Sequence, residues 1–245
     1  MDNNILITGG TSGVGLAIAR SLASKPVKLI LLGRNSFHAQ IMMLELQNKT
    51  ANVSYYLADL TDESSRQELI KQLVIDNKKI DTVFDCVGIY PKNKEINITV
   101  NLTSHYFFLT ELNQCLADNS RIFIVTGFPN VVKYAPILDF QSTLINRALW
   151  EITYKSLLVS LLAQQLGRKS TVNGFYPGHI QSNLRPHSQK NIQNTLPIAS
   201  YLLFSKKLNG ITNALIDYNG KQIMLNAKKY NYKKAYRYLK KYLPI

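Results

Sequence analysis

Asn4-Ile5-Leu6-Ile7-Thr8-Gly9-Gly10-Thr11-Ser12-Gly13-Val14-Gly15-Leu16, near the amino end of a 245-residue chain, reads as a β-strand, a glycine-rich turn and the first turn of a helix. Ile5, Leu6 and Ile7 make the short unbroken apolar run expected of a strand buried on both faces of a parallel sheet. The glycines let the backbone turn tightly and approach a phosphate, whose charge the N–H groups and positive dipole of the helix N-terminus meet. A glycine-rich turn alone also fits an ordinary strand-to-helix loop. Its place between strand and helix, at the start of an α/β alternation, favours a dinucleotide site with Gly9, Thr11, Ser12, Gly13, Val14 and Gly15 on the phosphates.

Outward from this turn, short β-branched or Leu-rich runs alternate with longer stretches of helical period. Strands are expected at about 4–8, 27–33, 53–58, 81–87, 121–126, 171–176 and 211–217, and helices at about 13–24, 36–48, 62–77, 99–117, 141–167 and 192–204. No Pro/Gly/Ser linker interrupts them. The expected fold class is α/β: a single doubly wound Rossmann domain over residues 1–245, with a seven-stranded parallel sheet, helices on both faces and the ligand at the carboxyl ends of the strands.

Composition narrows the options. With 46% apolar residues the chain can bury a sizeable core. Two cysteines, Cys86 and Cys115, cannot form a disulfide framework and lack zinc-site spacing, which fits a reducing compartment and no metal. No basic leader and no stretch of 18 apolar residues points to export or a membrane span, so a cytoplasmic location is expected. The net charge of +14 is uneven: residues 1–151 hold 14 basic and 14 acidic side chains, residues 152–245 hold 15 and 1. Part of the excess lies on an amphipathic helix expected at about 230–243, with Tyr232, Ala235, Tyr236, Leu239, Tyr242 and Leu243 on one arc and Lys233, Lys234, Arg237, Lys240 and Lys241 opposite. Docked by its apolar arc, such a helix leaves its lysines in water; the alternative is an anionic partner, with nucleic acid or membrane the less favoured choice.

The spacing T-G-x-x-x-G-x-G over Thr8–Gly15 resembles the short-chain dehydrogenase/reductase superfamily, and further matches follow in order. Arg34 ends the second strand, Asp59-Leu60 the third, Asp85-Cys86-Val87-Gly88 stands where the family has N-N-A-G, and Asn101 lies early in a long helix. Pro177-Gly178-His179-Ile180-Gln181-Ser182 resembles the turn P-G-x-x-x-T, and the C-terminal helix has a counterpart in retinol-dehydrogenase-like members. The resemblance implies an oxidoreductase that binds a nicotinamide cofactor, a small-molecule substrate and a homo-oligomer built on the helices at 99–117 and 141–167. It places Asp59 and Leu60 at the adenine, Val87 and Gly88 along the cofactor's path, and Pro177, Gly178, Ile180 and Ser182 around the nicotinamide. Arg34 and Asn35 stand where an acid would bind the ribose hydroxyls of NAD; a guanidinium there suits the 2′-phosphate of NADP(H).

The resemblance breaks at the catalytic pair. The family protonates its substrate with a Tyr whose pKa is lowered by a Lys four residues later, beside a Ser at the end of the fifth strand, and no Y-x-x-x-K occurs in this part of the chain. A gapless helix puts Ala148 at the Tyr position and Ile152 at the Lys position, and Gly127 at the Ser position with Thr126 beside it. A rival register pairs Glu151-Ile152-Thr153-Tyr154-Lys155 with Y-x-x-S-K, but it shortens the helix by about one turn, which rotates the buried face by about 300°, and still supplies Glu instead of Tyr, so the gapless register is preferred. The candidate catalytic residues are Asn101, Thr126 and Lys155, whose ammonium can lean back along the helix. His105 and His179 are expected to be structural, and Tyr154 points about 100° away from Lys155. Residues 183–199 fall where the family has a substrate lid, and Arg185 and Lys190 there would suit an acidic substrate. Two functions remain open: an atypical NADP(H)-dependent reductase of a C=O or activated C=C group, or a catalytically silent NADP(H)-binding sensor or scaffold.

Overall fold

The computed structural model describes residues 3–47, 49–76, 79–180 and 193–245. Eight strands form one sheet: β1 (Asn3–Thr8), β2 (Val27–Gly33), β3 (Asn52–Leu57), β4 (Ile80–Asp85), β5 (Leu116–Val125), β6 (Ser170–Phe175), β7 (Ala214–Ile216) and β8 (Gln222–Met224). Their spatial order is β3-β2-β1-β4-β5-β6-β7-β8. The seven expected strands pair in parallel, and β8 adds an antiparallel edge to β7 through Leu215 opposite Ile223.

The helices between them are α1 (Gly13–Leu22), α2 (Ser36–Gln47), α3 (Glu63–Ile75), α4 (Lys94–Ile98), α5 (Ser104–Glu111), α6 (Pro129–Tyr134), α7 (Leu144–Gln165), α8 (Ile198–Phe204) and α9 (Tyr232–Leu239). Strand side chains alternate between faces, so two cores form. Ile5, Ile7, Leu29, Leu31, Phe84 and Phe123 pack under α1 and α8 with Ile18, Ala199 and Leu202. Leu6, Ile30, Val83, Ile122 and Ile124 pack under α5 and α7 with Leu109, Leu158 and Leu162. Each buried Leu or Ile contributes about 1.5–3 kcal/mol by leaving water.

Several expected boundaries shift. The helix expected at 99–117 begins at Lys94, capped by the Asn93 side chain, which accepts from the Ile96 amide at 2.8 Å, and α5 ends at Glu111. Between α4 and α5 the chain makes a π-helical turn over Thr99–Thr103. α6 begins on Pro129, whose missing N–H costs nothing in a first turn. α9 is shorter than the expected 230–243 and starts under an Asn231 cap that accepts from the Lys234 amide at 2.9 Å. Its wheel also needs correction: Ala235, Leu239 and Leu243 are buried, but Tyr232 and Tyr236 are exposed, and Tyr238 packs edge-on to Tyr154 instead. Of the lid expected at 183–199, residues 183–192 lie outside the described residues, with Ser182, Arg185 and Lys190. The remainder is held down by Leu196, whose amide donates to Ser21 Oγ at 2.6 Å. Among the described residues no helix is long and apolar enough to cross a membrane.

Candidate active site

Strand order reverses between β1 and β4, and the crevice at such a reversal is where open α/β sheets bind ligands. A cleft of about 650 Å³ lies there, and Gly9, Thr11, Ser12, Gly13, Val14, Arg34, Asn35, Asp59, Leu60, Val87 and Gly88 all line it. Gly9 and Gly13 have φ of 62° and 51°, the left-handed region that glycine enters without strain. At Gly15 a Cβ would stand 2.5 Å from the Gly9 carbonyl oxygen, so the helix can approach the turn only without a side chain there. This is a cradle shaped for a phosphate group against backbone amides.

Thr8 ties the turn to β4. Its hydroxyl donates to Asp85 Oδ1 at 2.7 Å and accepts from the amides of Cys86 at 2.9 Å and Val87 at 3.2 Å. The other carboxylate oxygen of Asp85 meets His105 Nδ1 at 2.6 Å, with both side chains fully buried. Burial works against the charge of Asp85, but His105 and the hydrogen bonds from His105 and Thr8 outweigh it and hold the carboxyl below its usual range. Burial likewise pushes His105 down, only partly opposed by Asp85. His105 is therefore buried beneath the cleft and bonded through Nδ1, while its buried Nε2 has no hydrogen-bond partner among the described residues. His179 is exposed and meets the edge of Phe128, at 6.5 Å between centroids.

At the outer end of the cleft, Arg34 Nη1 lies 3.3 Å from Asp59 Oδ2 with both side chains well exposed, a geometry that leaves the guanidinium open to a phosphate. Asp59 Oδ1 accepts from the Thr61 amide and hydroxyl at 2.9 and 2.7 Å. The cleft also draws in His38, Ile89, Tyr90, Lys92, Ile96 and Val100, which the sequence reading did not single out. Lys92 and His38 add basic groups; Tyr90 and Ile96, each 45% exposed, give the wall an apolar stretch. Position in the first turn of α2, in the loop after β4, or in α4 and the π-helical turn that follows it was the only signal for them.

Asn101 sits in the π-helical turn, fully buried. Its Oδ1 accepts from the Ile89 amide at 2.9 Å and its Nδ2 donates to the Ile89 carbonyl at 3.0 Å and to Asn97 Oδ1 at 2.8 Å. The extra residue of a π turn re-aims a side chain in this way, and such turns are frequent at functional sites. Lys155, only 4% exposed, places Nζ 3.3 Å from the Val87 carbonyl and 3.7 Å from Glu151 Oε1. A side chain at Gly88 would touch Asn101 Oδ1 and Lys155 Nζ, both 3.5 Å from its Cβ. Ile152 instead packs on Gly127, where an added Cβ would collide with it at 2.3 Å. Of the candidate lysine positions in the two registers, Lys155 is thus the one that reaches Val87 and Gly88, while Ile152 lies on Gly127. Thr126 turns toward β6, 3.3–3.5 Å from where a side chain on Gly174 would begin, and its buried hydroxyl has no hydrogen-bond partner among the described residues. Tyr154 points the other way, stacked on Trp150 and donating to Asp139 Oδ1 at 2.9 Å. Pro177, Gly178 and Ile180 follow β6 and are not among the residues lining the cleft; Gly178, at φ 76°, packs on Tyr218.

A family model described as short chain dehydrogenase matches residues 3–126, half of the chain and the half that carries the phosphate turn. The chain belongs to the short-chain dehydrogenase family. Members of this family bind nicotinamide cofactors, and the glycine cradle and cleft fit one. Retinol dehydrogenase 11 of Homo sapiens is 24% identical over 200 residues, 75% of this chain and 63% of the relative. An uncharacterized oxidoreductase of Schizosaccharomyces pombe is 25% identical over 210 residues, 75% of this chain and 62% of the relative. The chain thus spans less than two thirds of these two relatives. Polyprenol dehydrogenase of Homo sapiens is 22% identical over 83% of this chain and 68% of the relative. Among solved structures, a short chain dehydrogenase from Shigella flexneri superposes with a TM-score of 0.76 at 18% identity, covering 92% of this chain and 94% of the other.

Proposed function

We propose that this short-chain dehydrogenase uses NADP(H) and works as a reductase of a small or specialised-metabolite C=O or activated C=C group, with a non-standard catalytic set. The cofactor choice rests on Arg34, a guanidinium at the end of β2 with no acid in its place and a long, exposed contact to Asp59. The substrate class rests on the apolar cleft wall of Tyr90 and Ile96 and on relatives named for retinol and polyprenol, which favour an apolar molecule over an acidic one. The bound cofactor supplies a hydride. The chain's own residues do the rest: the Gly9–Gly15 turn holds phosphate, Asn101 fixes the backbone at Ile89, and Lys155 places a cation beside Val87 and Gly88 where a developing oxyanion or a ribose hydroxyl would lie. A homo-oligomer is part of the proposal, formed elsewhere than on the face of α7 that α9 covers.

Arg34→Ala tests the cofactor choice by fluorescence titration. A charge-assisted hydrogen bond is worth about 1.5–3 kcal/mol, so NADPH affinity should fall about 10- to 150-fold while NADH affinity stays nearly constant. Equal losses for both cofactors, or a wild-type protein that prefers NADH, would refute it.

A further inference from the structure

We propose that Glu151 is the proton donor of this reduction, acting from the helical position one turn before Lys155; the assignment deepens the oxidoreductase reading above and rests on it. Three observations carry it. Glu151 Oε1 and Lys155 Nζ are 3.7 Å apart on one face of α7, the i, i+4 spacing that brings an acid and a cation together. Lys155 is anchored at the carbonyl of Val87, which lines the cleft, and α7 runs from the carboxyl edge of the sheet toward its amino edge, so Glu151, one turn earlier, lies nearer the carboxyl edge than Lys155. The alternatives on the helix are closed: Ala148 has no proton to give, Ile152 is wedged on Gly127, and Tyr154 is turned into a stack with Trp150. Glu151 is the one acidic residue of α7.

Its surroundings suit a proton store. Burial raises the carboxyl's pKa, and the Lys155 ammonium opposes this without cancelling it. On the same helix Arg147 is turned aside, donating to the Pro91 carbonyl at 2.7 Å. From β4 and α5, Asp85, Cys86 and His105 face Lys155, with His105 and Asp85 bonded to each other. In the step itself the O–H bond of the Glu151 carboxyl breaks and its electron pair stays on the carboxylate. The proton forms a new bond to the substrate oxygen, which takes up the π electron pair of its C=O bond as the carbonyl carbon receives the hydride that a dihydronicotinamide cofactor would supply. The carboxylate is then paired with Lys155 and regains a proton from water, since 21% of its side chain remains exposed.

The test joins a titration to turnover, on the full chain. Carboxyl ¹³C resonances of glutamate-labelled protein, assigned with Glu151→Gln, should show Glu151 titrating above the usual glutamate value of about 4.3. Lys155→Met should move that midpoint higher still. With 9,10-phenanthrenequinone and cinnamaldehyde as probes, Glu151→Gln should keep NADPH affinity within threefold and lose about 10²-fold or more of turnover, by the usual size of acid catalysis, with partial recovery in Glu151→Asp. A midpoint at or below the usual value, unchanged turnover in Glu151→Gln, or a wild type that binds NADPH yet reduces neither probe overturns the donor role. Failure to bind NADPH at all overturns the oxidoreductase reading instead, and the titration still decides whether Glu151 is held as an acid.

Discussion

Gly15→Ala tests the phosphate cradle with a single methyl group. The new Cβ would lie 2.5 Å from the Gly9 carbonyl oxygen and 2.8 Å from its carbon, whereas ordinary contact begins at 3.4 Å, so turn and helix must part by about 0.9 Å. Neither side yields freely. The Gly10 amide donates to the Leu32 carbonyl at 3.0 Å, the Ser12 amide to Gly9 at 3.3 Å, and Thr8 holds β4 by three bonds. Forcing a methyl group into such a contact costs about 1–3 kcal/mol. If the strain stays, melting drops by roughly 2–12 °C for a chain of this size. If it is relieved by moving the amides that face phosphate, NADPH affinity falls by about 5- to 150-fold. Thermal melts with and without NADPH, beside a fluorescence titration, separate the two. Gly210→Ala is the control: its φ is 72° but its Cβ meets nothing within 4 Å, so it should cost stability without touching affinity. A Gly15→Ala protein that melts like wild type and binds NADPH within a factor of two would refute the cradle.

Two further tests concern the buried pair and the C-terminal helix. His105→Leu leaves the Asp85 carboxylate buried with one partner fewer, which should cost about 3–5 kcal/mol in urea unfolding. Because the folded protein keeps the His105 pKa below the ordinary 6.5, the unfolded chain binds the extra proton and wild-type stability should fall as pH drops through that value; it should fall again as pH drops below the ordinary aspartate 3.8, where the lowered Asp85 pKa acts. The first of these declines should vanish in His105→Leu, and a variant that keeps it would show that another group is responsible. On α9, Leu239→Ala should cost about 2–5 kcal/mol, whereas changing Lys233, Lys234, Arg237 and Lys240 singly to Gln should each stay within about 0.5 kcal/mol; equal effects would mean the helix is not docked by its apolar side.

The parallel sheet and the phosphate turn were readable because each signal is local: apolar runs, glycine spacing, and a strand-to-helix order that few folds share. What escaped was local but short, or not local at all. β8 is three residues after a Gly220 turn with φ 80°, too brief for a period of two to register. α6 announced itself only by Pro129. A π-helical turn has no sequence signature, so the contact of Asn101 with Ile89 could not be foreseen. Asp85 and His105 are 20 positions apart on different elements, and their meeting depends on how α5 crosses β4. The register of α7 was ambiguous because alignment by length ignores which face is buried; Ile152 against Gly127 and Lys155 against Val87 resolve which side chains point inward.

The sandwiching of α7 has a consequence for mutational work. One side of this helix carries Glu151 and Lys155; the other is clasped by α9, with Trp150 and Tyr154 edge-on to Tyr242 and with Tyr154 also held by Asp139, which in turn meets Lys241. The C-terminal aromatic residues therefore set the rotation of α7 about its own axis, and a few degrees there displaces the Lys155 ammonium from Val87. Loss of activity on changing Tyr238 or Tyr242 would imitate loss of a partner-binding surface while being a misaimed lysine on the opposite side of the same helix.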